Sequence, residues 1–137
     1  MLEPKQERKV DVSKEAKMEE LIGQTLVAVS GEKGADEIVL TLADGRKFKM
    51  HHDQDCCEAV AVEDICGAEL KDLIGSPILV AEESTNQTGP EGWKPDEFDD
   101  SFTWTFYKLA TVQAALTIRW FGSSNGYYSE SVDCIWG

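Results

Sequence analysis

The chain has 137 residues, 42% of them hydrophobic and 28% charged, the size and composition of one globular domain with a real core. Its net charge of −13 repels phosphate backbones and argues against nucleic acid as a partner. No apolar run approaches the roughly 20 residues of a membrane span, and the charged stretch 1–20 lacks the apolar core of a secretion signal, so a cytoplasmic protein with reduced cysteines is expected.

The charge is unevenly placed. Residues 53–100 hold 14 acids against 2 bases, whereas the segments on either side are close to neutral. Residues 1–20 mix both signs with few large apolar residues and read as a flexible or helical extension, leaving 21–137 as a single compact β-rich domain. Thr25 to Val29 is a short β-branched run. Ile38, Leu40 and Leu42 then alternate onto one face, and Asp44-Gly45 signals a two-residue type I′ hairpin. The return strand carries Phe48, Met50 and His52 on one side, with Lys47, Lys49 and His51 on the other.

After the octet His51-His52-Asp53-Gln54-Asp55-Cys56-Cys57-Glu58, residues Ala59 to Val62 read as a strand that Glu63 to Gly67 break. Leu70, Leu73 and Ile74 have the spacing of one or two helical turns, and Gly75 suits the position just past them. An extended run begins after Pro77. Residues 84–100 form a long acidic loop containing Trp93. Nine of the twelve aromatic residues lie beyond it. Phe102, Trp104 and Phe106 alternate with Thr103, Thr105 and Tyr107, as a half-buried strand demands. Leu116 to Phe121 is a further strand, Asn125-Gly126 a turn, and Tyr127 to Val132 its return. The fold class is α+β, mostly β, built on an antiparallel sheet of about seven strands with short helical inserts.

Two stretches hold candidate function. The octet offers the ligand types of zinc or another divalent transition metal in His51, His52, Asp55, Cys56 and Cys57. Strand alternation, however, sends the two histidines to opposite faces, and adjacent cysteines match no common zinc spacing. Neighbouring carboxylates also disfavour a thiolate nucleophile. No catalytic residue and no cofactor is assigned on this reading; the metal module or metal enzyme is the alternative. The second stretch, residues 123–131, places tyrosine rings beside hydroxyls and a carboxylate, a composition suited to a ligand or a protein contact. His52, Asp53, Asp55, Glu58, Trp93, Asn125, Tyr127, Tyr128 and Glu130 are therefore the candidate binding residues, and what matters is whether octet and tyrosine segment meet in space.

The stretches HHDQDCCE, VEDICG, DLIGSPILVAEE, WTFYKLAT and SNGYYSESV resemble those of a family of small uncharacterised tailed-phage and prophage proteins, over roughly Leu21 to Asp133. The resemblance implies a phage or prophage context and hence the host cytoplasm. The function expected is a non-enzymatic interaction protein that binds a protein or a small ligand, as an accessory factor in host takeover or defence evasion. An acidic mimic of nucleic acid is a third reading, and strand edges leave room for a homo-oligomer.

Overall fold

The computed structural model describes residues 15–54, 57–87, 101–124 and 129–137. Among them are eight strands in two antiparallel four-stranded sheets, with helical structure confined to short 3₁₀ turns at Met18–Leu21 and Leu70–Leu73. The fold is thus mostly β and antiparallel, as the sequence indicates, with its strands divided between two sheets.

Sheet 1 has the order β1-β2-β3-β8, from β1 (Leu26–Ser30), β2 (Glu37–Leu42), β3 (Lys47–His51) and β8 (Asp133–Trp136). Its inner face is the alternating set the sequence announces: Ile38, Leu40 and Leu42 of β2 beside Phe48 and Met50 of β3, all fully buried. The turn between β2 and β3 is not type I′, because among the described residues none other than glycine has positive φ and type I′ needs it at both central positions. Instead Gly45 alone, at φ 93°, turns the chain; its N–H bonds to Leu42 O, and Leu42 N–H bonds to Arg46 O. Asp44 locks this wider turn by accepting from the Arg46 backbone N–H and from its Nε, and the backbone bond above all holds its carboxyl below the usual range.

Sheet 2 has the order β4-β7-β6-β5, from β4 (Ala59–Cys66), β5 (Val80–Asn86), β6 (Ser101–Ala110) and β7 (Ala115–Ser124). One expectation changes here. The acidic Glu63-Asp64 pair does not end β4: a bulge at Glu63 absorbs the extra residue, and the strand resumes in register with Asp64 opposite Arg119. The aromatic row of β6, whose direction the alternation leaves open, faces away from the core. Inward go Thr103, Thr105, Tyr107 and Leu109, opposite Gly122, Trp120, Ile118 and Leu116 of β7. Trp120 is fully buried, and the small Thr105 opposite leaves room for its indole.

The inner faces of the two sheets meet in one core. Ala16 and Met18, read from sequence as part of the extension, are buried in it. Of the return strand expected over Tyr127 to Val132, Ser129 to Val132 form no strand, and Tyr127 and Tyr128 lie outside the described residues. β8 pairs with β3, with Met50 opposite Cys134 and His51 opposite Asp133, so the chain leaves sheet 2 and rejoins sheet 1. The chain therefore crosses between sheets from β3 to β4 and again from β7 to β8, and the strand ends that these connections join lie at the same end of the core.

Candidate functional site

His52 continues the inward row of Phe48 and Met50, just past the end of β3. Glu58 precedes β4 on the inward side that Val60 and Val62 occupy. Their side chains are 2% and 0% exposed, and His52 Nε2 lies 2.7 Å from Glu58 Oε2. The other ring nitrogen, Nδ1, lies 2.7 Å from the Ser131 carbonyl oxygen of the second crossing. A carbonyl only accepts, so Nδ1 carries a proton. The Nε2 to Oε2 contact then needs a proton between its two atoms, donated by one partner or the other, and the pair is neutral as a unit. Gln54 Nε2 donates to the Glu58 carbonyl at 2.6 Å and reaches Oε1 at 3.2 Å.

The second crossing brings its own acid. Glu130, 8% exposed, accepts from Thr103 Oγ1 at 2.8 Å and from Ser124 Oγ at 2.5 Å, both on sheet 2. Asp53 N–H donates to Asp133 Oδ2 at 3.1 Å, tying the crossings together once more. Octet and C-terminal segment thus do converge, through His52, Asp53 and Glu58 on one side and Glu130, Ser131 and Asp133 on the other. The convergence is a polar seam closing the core. Both nitrogens of His52 are engaged within it, so as it stands the ring presents neither to a substrate or a metal.

The fit at the seam is close. A Cβ built on Gly122 would fall 2.7 Å from the Glu130 carbonyl oxygen and 3.0 Å from its Cβ. Gly122→Ala is expected to push residues 129–132 off the sheet and cost about 1–3 kcal/mol, as overpacking does. A urea midpoint equal to the wild-type value would show that Glu130 does not rest on Gly122.

His51 points to the outer face of sheet 1, with Glu37 and Asp133 as its cross-strand neighbours. Its Nε2 is buried and finds no partner among the described residues. Cys57 is disulfide-bonded, so the reduced state expected of the cysteines holds for Cys66 and Cys134, and Cys57 offers no thiolate to a metal. Burial pushes the Cys134 thiol up to about 12 and also raises Cys66, so neither is poised as a nucleophile. Among the described residues no group of three or more His, Cys, Asp or Glu is arranged to hold a metal ion. Asp55, Cys56, Trp93, Asn125, Tyr127 and Tyr128 lie outside the described residues.

The feature that sequence reasoning missed is the outer face of sheet 2. Across β7 and β6, Phe121 stands opposite Trp104 and Arg119 opposite Phe106, with Phe102 on the same face. Trp104 is only 2% exposed yet lies outside the core cluster. Phe121 packs against it at 4.8 Å between ring centroids, Phe106 stacks at 6.5 Å, and the Arg119 guanidinium lies 5.7 Å from its ring centre. Arg119 is held in turn by Glu63, through Nε at 2.9 Å and Nη2, and it has Asp64 at 3.7 Å. The alternation of β6 carried half of this signal, by marking two faces, but not which of them is outside.

A two-sheet antiparallel β protein, with a polar seam at one end and an aromatic outer face on the second sheet, is the class these observations define. The chain belongs to the family described as a domain of unknown function, DUF7448, which matches residues 19–134. No curated protein and no solved structure matches it. No helix among the described residues is long and apolar enough to cross a membrane.

Proposed function

We propose that this chain is a non-enzymatic interaction protein of tailed-phage or prophage type, an accessory factor in host takeover or defence evasion that docks a protein partner on the outer face of sheet 2. The observation that carries the reading is the half-buried set Phe102, Phe106, Phe121 and Arg119 on that face, gathered around the buried Trp104. Aromatic and arginine side chains at the centre of a patch, with charge at its rim, make the composition of a binding hot spot. The rim here is acidic: Glu63 and Asp64 flank Arg119 on one side, and Glu82 lies opposite Lys108 on the other. A sheet face built from neighbouring strands offers breadth, whereas small ligands are held in concave pockets, so a protein surface is the better match.

The test compares wild-type protein with the double variant Phe106→Ser/Phe121→Ser, both immobilised and exposed to extract of a bacterial host. Proteins retained specifically by the wild type are expected to fall about tenfold or more on the double variant. They are expected to be unaffected by Lys49→Glu, a change on the outer face of sheet 1. Equal retention by the wild type and the aromatic variant would refute the assignment of this face.

A further inference from the structure

The four edges of the two sheets are not alike. At β1, Leu26 O accepts from Gly75 N–H at 3.1 Å, and Thr25 just before the strand bridges to Pro77. At β8, Cys134 O accepts from Ala16 N–H at 2.9 Å, and Ile135 bridges to Glu15. At β4, Val62 exchanges two backbone bonds of 2.8 Å with Gly34 and Ala35, and the Glu63 bulge kinks the remainder of the strand. These are the usual ways of closing an edge. Among the described residues β1 is closed in this way only at Leu26, and β5 is closed at no point from Val80 to Thr85. β5 pairs with β6, and among the described residues no backbone group of Val80 to Thr85 bonds to anything else. Glu82, Glu83, Ser84 and Thr85 are all exposed.

We infer that β5 is a docking edge for an extended basic segment of a partner protein, which adds to sheet 2 as a fifth strand. The open row of N–H and C=O groups supplies the affinity that a strand needs. Charge supplies the selectivity. Glu82 and Glu83 are consecutive, so one projects on each side of the pleat, and the groove between this strand and the Met18–Leu21 turn adds Glu19 against the single base Lys17. A strand with paired basic residues opposite them gains a favourable cross-strand contact on both faces. A second copy of this chain does not: in the antiparallel register that overlaps all of β5, Glu83 falls opposite Glu83. The inference stands on the strand edge and is independent of the aromatic face.

The probe is a short capped peptide with two adjacent central lysines flanked by threonine and valine. Three results are expected. The peptide slows hydrogen exchange of the Glu82 to Thr85 amides about tenfold at saturation. Glu82→Lys/Glu83→Lys weakens it about tenfold, while Glu37→Lys on sheet 1 leaves it unchanged. The same peptide N-methylated at alternate amides does not bind. Equal binding of the methylated peptide would reduce the contact to charge alone and overturn the inference, as would protection that falls elsewhere. Protection of these amides that rises with protein concentration without peptide would identify a second copy as the occupant and overturn it too.

Discussion

His52→Ala is expected to lower the free energy of unfolding by about 3–5 kcal/mol, the cost of removing one partner from a buried pair. Glu58 has no exposed side-chain surface, and His52 is the partner of its Oε2. The same substitution also strips the Ser131 carbonyl of its donor, so both crossings loosen at once. The double variant His52→Phe/Glu58→Leu is expected to recover most of the loss, because a packed apolar pair carries neither the charge nor the unmet hydrogen bond. Urea unfolding of the wild type, both single variants and the double variant closes the cycle. A single variant within about 1 kcal/mol of wild type would show that the pair is not desolvated as the geometry requires.

Trp120→Ala should be comparably severe, at about 3–5 kcal/mol, because it empties a large volume that Val62, Thr105 and their neighbours cannot refill. Trp120→Phe separates volume from polarity. The indole Nε1 is buried and has no partner among the described residues, so phenylalanine removes an unmet donor while keeping most of the ring. Its expected cost is about 1 kcal/mol or less by that offset. Equal losses for the two variants, measured by thermal unfolding, would mean that the N–H has a partner that matters. Phe106→Ala, on the outer face, serves as the comparison and should cost less than either.

Legibility in the sequence depends on how far along the chain each determinant acts. The β2–β3 hairpin was legible because alternation over Ile38 to Leu42 and again over Phe48 to Met50 surrounds a glycine turn, and those features act within a few residues. The turn type was not, since Asp-Gly serves a wider turn as readily as type I′. Separation of His51 from His52 came from the same alternation. The direction of β6 escaped it: Phe102, Trp104 and Phe106 are the more apolar row, yet Trp120 on the next strand claims the interior beside Thr105. That decision belongs to a neighbour fifteen residues away along the chain. Likewise the return strand expected from sequence ends at Val132, and nothing local announces that Asp133 to Trp136 form a strand and pair with β3. Glu58 and Glu130 stand out in the sequence by their company, but nothing near them foretells that one meets His52 and the other the Thr103 and Ser124 hydroxyls.

The placement of β8 has a consequence for how the chain is made. Its register sets His51 against Asp133, so sheet 1 is completed by a segment translated long after β1, β2 and β3 have left the ribosome. During that interval β3 presents an unpaired edge, with Phe48 and Met50 beside it and no second sheet to cover them. Contacts of such long sequence separation form slowly, on the scale of milliseconds to seconds for β-sandwich topologies. The nascent hairpin therefore spends the synthesis of sheet 2 in a state prone to pair with other chains, and Lys47 and Lys49, flanking Phe48, are the charges that guard it.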